Sequence, residues 1–329
     1  MASSFYRVLF VVGLWASTRC APPSNAPSRG SSHSSSTKST CTSPLSSSNT
    51  YFAFRLYRRL VLETPSQNVF FSPVSVSASL AMLSLGAHSA TKTQILQGLG
   101  FNLTHVPESA IHQGFQHLLH LLNVPSKDLG LKLGSVLFIK KELQLQADFL
   151  DNAKRLYSSE VFSTDFSNTS GAQERINSYV KKETNGKVVD IIQGLDPLTA
   201  MVLVNHIFFK VYRWIEVFIP KFSISASYDL ETILPKLGIR NAFDQNADFS
   251  GITKRDFLQV SKATHKAVLD VGEEGTEAVA ATATKLIVRS KDSPPHATVY
   301  FNKPFLMLII NEATDSMLFL GKVENPTKS

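Results

Sequence analysis

One stretch limits what this chain can fold into more than any other. It reads Gly275-Thr276-Glu277-Ala278-Val279-Ala280-Ala281-Thr282-Ala283-Thr284 and continues Lys285-Leu286-Ile287-Val288-Arg289-Ser290. Its alanines favour helix, whereas the glycine, the threonines and the β-branched residues that follow do not. Read with the period of two of a strand, Thr276, Ala278, Ala280, Thr282, Thr284 and Leu286 share one uncharged face, and Glu277 and Lys285 fall on the other. Such a segment can enter a sheet and bury small side chains without stranding a charge.

The rest of the chain has the material for a core. Of its 329 residues 43% are hydrophobic and 18% charged, which excludes disorder over the whole length. This length suits one large domain or two ordinary ones. The formal charge of +7 favours anionic surfaces, but the basic residues are scattered in pairs (Arg58-Arg59, Lys140-Lys141, Lys181-Lys182), without the dense run expected of a nucleic-acid binder. Two cysteines exclude a disulfide scaffold, and the absence of C-x-x-C excludes a cysteine-based zinc finger.

Residues 1–20 read as a secretory signal: Arg7 is followed by an apolar run from Val8 to Ala16, too short to span a bilayer, with small residues near Ala16-Ser17-Thr18 and Ala21. Residues 21–49 read as a disordered tail, since Ala21 to Ser48 holds twelve serines and several prolines. Cleavage after Cys20 leaves Cys41 as the only cysteine. No later stretch reaches membrane-spanning length without charges, so a secreted, soluble monomer is expected, with no membrane or nucleic-acid partner. Two sequons, at Asn102 and Asn168, fit a glycoprotein.

A single folded domain is assigned to residues 50–329. Tyr51 to Leu62 has helical spacing, with Phe54, Tyr57 and Val61 on one side. Ser72-Pro73 is a cap followed by proline in the first turn and opens a helix that ends at Gly86. Thr91 to Leu99 is a short helix. Leu131 to Ile139 alternates as a strand, and Met201 to Phe209 is a continuous β-prone run, as in a strand covered on both faces. Ile215 to Ile224 gives one or two strands around Pro220, Tyr228 to Leu237 is helix stopped by Gly238, and Val299 to Leu320 is again strand-like. Helices first and strands later make the class α+β.

Enzyme motifs are missing. There is no G-x-S-x-G elbow, no phosphate-binding glycine loop and no H-E-x-x-H zinc helix. His112, His117 and His120 share a helical stretch but have no carboxylate at a matching spacing, so they read as polar helix-face residues and no metal is assigned. No catalytic residue and no cofactor is expected.

Five segments resemble the serpin family. Glu274 to Thr282 looks like the hinge that precedes a serpin reactive-centre loop, and Val299-Tyr300-Phe301-Asn302-Lys303-Pro304-Phe305-Leu306 like the family's C-terminal signature. Asn68 to Ser75 resembles its early helix motif, Asn205 to Lys210 its central strand, and Lys262 to Val268 the strand leading to the hinge. They occur in family order from Tyr51 onward and are most similar to the secreted, α1-antitrypsin-like branch. The resemblance implies three β-sheets, about nine helices and an exposed loop over residues 274–298. It also implies a suicide-substrate mechanism against a serine protease, with hinge residues Gly275, Thr276, Glu277, Ala278, Val279, Ala280, Ala281 and Thr282. Counting Gly275 as the first, the fifteenth residue is Arg289, so the reactive bond is Arg289-Ser290 and the partner a trypsin-like protease. Lys285-Leu286 and Lys291-Asp292 are neighbouring alternatives. Ser72, Ser75, Asn205 and His265 match the family's shutter. Heparin or another glycosaminoglycan is a further partner among relatives, although the stretch from His112 to His120 has no Lys or Arg.

The sequence departs from the family after Lys210. Val211 to Val217 already matches a strand that belongs much later, so a block of roughly eighty to ninety residues is absent, containing strands of sheets B and C and two helices. If about five side chains among Leu306 to Ile310 and Met317 to Leu320 lose cover, the cost is roughly 8–15 kcal/mol, comparable to a domain's typical stability of about 5–15 kcal/mol. The alternatives to an inhibitor are therefore a non-inhibitory serpin-like binding protein, or an inactive form unable to reach the metastable state.

Overall fold

A computed structural model describes residues 6–12 (as backbone), 44–124, 129–211, 222–254, 257–271, 304–311 and 314–325. Two sheets are formed among these residues. The larger has five strands in the order β4 (Glu160–Thr164), β3 (Leu129–Lys140), β5 (Met201–Val211), β7 (Lys262–Val271) and β6 (Phe222–Asp229). The smaller has four, in the order β1 (Tyr6–Val12), β8 (Phe305–Asn311), β9 (Ser316–Val323) and β2 (Val69–Phe71). The helices are α1 (Pro44–Glu63), α2 (Pro73–Ser84), α3 (Ser89–Gly98), α4 (Glu108–Leu122), α5 (Ala147–Tyr157), α6 (Thr169–Glu183) and the single turn α7 (Leu230–Ile233).

The larger sheet is mixed. β3 is antiparallel to β5 and β7 to β6, but β5 and β7 are parallel, in register from Val202 opposite Lys262 to Lys210 opposite Asp270. Every residue of β5 from Met201 to Phe209 is buried, as a strand covered on both faces requires. One face packs on α6 through Val136, Phe138, Ile176, Val202 and Val204. The other meets the smaller sheet, where Phe70 stacks on Phe319 with ring centroids 4.9 Å apart and Phe209 lies 5.7 Å from the same ring.

Several expectations need correction. The helix expected from Tyr51 starts at Pro44, inside the serine-rich stretch assigned to a disordered tail, with Ser46, Ser48 and Asn49 buried. These small polar residues are held by hydrogen bonds: Ser46 Oγ donates to the Asp315 carbonyl (2.6 Å) and Ser48 Oγ to the Gly100 carbonyl (3.1 Å). Its buried face is Phe52, Ala53, Leu56 and Leu60, whereas Phe54 is exposed and Tyr57 and Val61 only half-buried. Tyr228 belongs to β6, paired with His265, and the helix after it begins at Leu230. Residues 6–12, within the segment 1–20 expected to be a signal, run antiparallel to β8; this pairing does not bear on whether the segment is removed.

The loss of cover expected over the last two strands is confined to one face, where Leu306, Leu308 and Ile310 are half-buried. Met307, Ile309, Leu318, Phe319 and Leu320 are all buried. Most of them pack on Phe70, Val74, Ile207, Phe209 and Leu269, across the space between the sheets. A neighbouring strand in the same sheet contributes backbone pairing, while burial of a face comes from the layer opposite.

Candidate functional site

The centre of the larger sheet holds a buried polar cluster. Ser72 precedes Pro73, and its extended backbone with proline at the first helical position starts α2; its Oγ accepts from the Ser75 N–H at 3.2 Å. This cap points the helix at the seam between β5 and β7, where Asn205 and His265 stand opposite each other in register.

The hydrogen bonds around His265 fix its tautomer. The Ser72 N–H donates to His265 Nε2 at 3.0 Å, so Nε2 is unprotonated and Nδ1 carries the hydrogen, which is given to Asn205 Oδ1. Ser75 Oγ lies 2.9 Å from the same oxygen. The Asn205 amide nitrogen donates to the Ser75 carbonyl (3.0 Å) and to Ser135 Oγ on β3 (3.1 Å). The cluster thus ties α2, β3, β5 and β7 together, and one of its bonds crosses the parallel seam.

Burial keeps the imidazoles neutral. Desolvation, with His206 nearby as a second cause, pushes His265 down to about 3, and desolvation alone pushes His206 down to about 4. His206 sits over Gly134: a Cβ added there would meet the Cε1 and Nε2 atoms of its ring at 2.9 Å, so a larger residue at this position of β3 would have to displace the buried imidazole. At the edge, Tyr228 Oη accepts from the Phe70 N–H at 3.0 Å and joins β6 to β2.

The structure therefore brings Ser72, Ser75, Asn205 and His265 into one network. The sequence reading missed Ser135, Gly134, His206 and Tyr228. Only Ser135 left a signal, as the single polar residue in the alternation Leu131, Leu133, Ser135, Leu137, Ile139. The hinge residues Gly275 to Thr282 and the bond Arg289-Ser290 lie outside the described residues; β7 ends at Val271, a few positions before Gly275.

The remaining candidates are structural or exposed. His112 is buried, not on a polar face, and contrary to the sequence expectation a carboxylate stands at helical spacing: its Nδ1 is 2.6 Å from Tyr157 Oη on α5, and its Nε2 faces Glu108, four residues earlier, at 3.4 Å. His117 and His120 are exposed. Among the described residues no group of three His, Cys, Asp or Glu stands ready to hold a metal, and no helix is long and apolar enough to cross a membrane. Asn102 and Asn168 are both exposed, and Asn168 Oδ1 caps α6 by accepting from the Gly171 N–H at 3.0 Å.

A main sheet with a parallel central seam, a capped helix beneath it and a polar network across it defines an α+β protein of serpin architecture. The family pattern described as Serpin (serine protease inhibitor) matches residues 47–214 and 210–326. Serpin A9 of Homo sapiens is 61% identical over 418 aligned residues, covering all of both chains. Human thyroxine-binding globulin, solved in complex with thyroxine, has a TM-score of 0.77 at 40% identity, the match covering 86% of this chain and 99% of that one. Human glycosylated kallistatin also gives 0.77, at 36% identity over 87% and 100%. The chain belongs to the serpin family, whose members are described as inhibitors of serine proteases rather than as enzymes. The alignment to Serpin A9 spans 418 positions against 329 residues here, so at least 89 positions have no counterpart. The two family matches meet at 210–214, where the sequence reading set the break.

Proposed function

We propose that the chain is a secreted inhibitor of trypsin-like serine proteases that acts by loop insertion after cleavage at Arg289-Ser290. The observation that carries this reading is the parallel pairing of β5 and β7. A segment that leaves the end of β7 and folds back between the two would be antiparallel to both. One parallel ladder is then exchanged for two antiparallel ones, the more stable pairing per residue. The gain in backbone hydrogen bonds is on the order of several kcal/mol. The uncharged face from Thr276 to Leu286 suits that position. Opening the seam breaks the bond between His265 and Asn205, which holds it shut beforehand.

In chemical terms, the protease's serine attacks the Arg289 carbonyl, the amide to Ser290 breaks, and Ser290 leaves as a new amino terminus. Insertion then carries the ester-bound protease along the sheet before water can release it, as the handling of stored strain by serpins in general requires. The exposed sequons at Asn102 and Asn168 support passage through a secretory route. Glycosaminoglycan binding receives no support from α4, which has no Lys or Arg. Incubation with trypsin tests the reading: a complex that survives denaturing gel electrophoresis is expected, and cleavage at Arg289 without any complex would overturn it.

A second reading, a non-inhibitory carrier, is favoured by one observation. An open groove of about 360 Å³ lies between α1, α4 and the start of β9, lined by Leu45, Phe101, Ile111, His117, Leu118 and Leu121. This is within the size range of small-ligand pockets, and a relative at 40% identity was solved with thyroxine. Saturable binding of an aromatic apolar ligand such as thyroxine, with no protease complex, would favour this reading over the first.

A further inference from the structure

α1 carries large apolar side chains on two opposite faces, and among the described residues only one face is covered. Phe52, Ala53, Leu56 and Leu60 are buried in the core. At about 100° per residue, the opposite face sets Tyr51, Phe54, Arg58 and Leu62 in one row. Tyr51 is 54% exposed, Phe54 45% and Leu62 73%, with Arg58 exposed between them. The solvent side of a surface helix is ordinarily polar, and a helix apolar on both sides is covered on both. α1 begins at Pro44, so a chain cleaved after Cys20 keeps this face.

The first ring of the row is fixed in place. Gly100, at a φ of +90° just after α3, lies so close that a Cβ there would meet Tyr51 Cδ1 at 2.7 Å. The Arg55 guanidinium stands 5.4 Å from the Tyr51 ring centroid. Arg55 is itself clamped, donating to the Leu237 carbonyl at 2.7 Å and to the Gly98 carbonyl at 3.3 Å. An aromatic ring that is exposed yet already immobilised loses little freedom on binding, which is what an interface anchor requires.

Charge around the row selects the partner. Arg59 and Lys236 both pair with Glu63 at 2.7 Å, which leaves that trio with one positive charge in excess. Arg55 is bonded to carbonyls, which do not neutralise it, and Arg58 has no acidic partner among the described residues. On the Tyr57 side, Glu324 is already paired with Lys322 at 3.0 Å. A second copy of α1 would bring like charges together at Arg58, so the row is not self-complementary. A lipid surface fits less well, because the other face of α1 is locked into the core and the helix cannot sink among acyl chains. From Tyr51 to Leu62 the row is roughly 16 Å long, the length of about three turns of a partner helix.

We propose that the outward face of α1 is a docking surface for an acidic amphipathic helix of another protein. Its apolar side chains cover Tyr51, Phe54 and Leu62, and its carboxylates pair with Arg58. The mode is recognition of a helix through anchors at helical spacing. It is independent of whether the loop inhibits a protease.

A library of displayed helical peptides, selected on the full chain with counter-selection on Phe54→Asp, tests the proposal. The expected result is enrichment of peptides that combine net negative charge with apolar residues at i, i+3 or i+4, and i+7. Their affinity should fall about tenfold or more in Phe54→Ala and in Arg58→Glu, and should weaken with added salt. It should be unchanged in Leu198→Ser, which alters an 86% exposed leucine in the loop before β5. Bound peptide should also slow modification of Arg58 by an arginine-directed dicarbonyl about tenfold or more in the unmodified chain. Unslowed modification would overturn the proposal whether or not the variants fold, and so would enriched peptides without an acidic excess or equal enrichment on Phe54→Asp. A dimer of the full chain that Phe54→Asp abolishes would assign the face to a second copy. Adsorption to phosphatidylserine vesicles that the same variant abolishes would assign it to a membrane. Either outcome would overturn the choice of occupant.

Discussion

The two sheets of this serpin are held by different kinds of interaction. At the centre of the five-stranded sheet, polar groups cross the seam: Asn205 on one strand, His265 on the other, and Ser72, Ser75 and Ser135 around them. The four-stranded sheet is joined at its centre by apolar rings, Phe70 against Phe319 with Phe209 alongside. Hydrogen bonds are directional and can be exchanged one set for another, so a seam made of them can open and reclose around a new strand. Apolar packing is non-directional and is lost whenever the layers separate. The sheet proposed to move is therefore the one with replaceable bonds, and the core-facing residues of the smaller sheet are buried by cover from across the core.

The largest expected effect breaks the apolar side of this comparison. Phe319→Ala removes a fully buried ring from between Phe70 and Phe209 and should cost about 3–5 kcal/mol. Urea unfolding followed by circular dichroism measures it. The rate at which the seam opens should be little changed, and a large change in that rate would show that the two sheets do not act separately.

Asn205→Ala addresses the polar side. It leaves the His265 Nδ1–H and the hydroxyls of Ser75 and Ser135 without their common partner, at a cost of roughly 2–4 kcal/mol. Spontaneous insertion of the uncleaved loop should also quicken, seen as a gain in thermal resistance on mild heating. A loss of stability without faster insertion would reduce the cluster to ordinary polar satisfaction.

Acid should weaken the seam before it weakens the smaller sheet. His265 and His206 are held near 3 and 4, against about 6.5 in the unfolded chain. The unfolded state thus binds more protons below about pH 6.5. The stability gained from burying the neutral rings is complete above that pH and falls as the pH drops towards 4 and then 3, by at most about 1.4 kcal/mol per pH unit for each ring. Melting curves between pH 7 and 5 should show the decline, and His206→Gln should reduce its slope. A pH-independent midpoint would contradict it.

The smallest effect lies away from both sheets. Asn168→Ala removes the cap of α6 and should cost about 1 kcal/mol in material made without glycans. Asn168→Asp, which keeps the capping oxygen, should cost less.

How far the sequence anticipated this structure depended on the kind of signal. The Ser72-Pro73 cap and the run from Met201 to Phe209 were legible because local chemistry and two-sided burial both leave marks in the residue pattern. The start of α1 was not, since Ser46 and Ser48 are buried by hydrogen bonds to residues far along the chain. Tyr228 looked helical because its role, a hydroxyl accepting from the Phe70 N–H, involves a partner 158 positions away. Within the cluster, Ser72, Ser75, Asn205 and His265 were legible through family resemblance, whereas His206 and Gly134 had to be seen in contact. The break after Lys210 was readable from motif order alone. Its effect on packing was not, because sequence order does not separate a lateral neighbour from an opposing layer.

The claim that the β5–β7 seam accepts the cleaved loop can be tested most directly by the melting midpoint of the chain before and after reaction at Arg289-Ser290 with an equimolar amount of trypsin. Insertion adds a strand paired on both sides, so the account predicts that the cut chain melts about 10 °C higher or more. A midpoint that stays the same or falls after cleavage would contradict it.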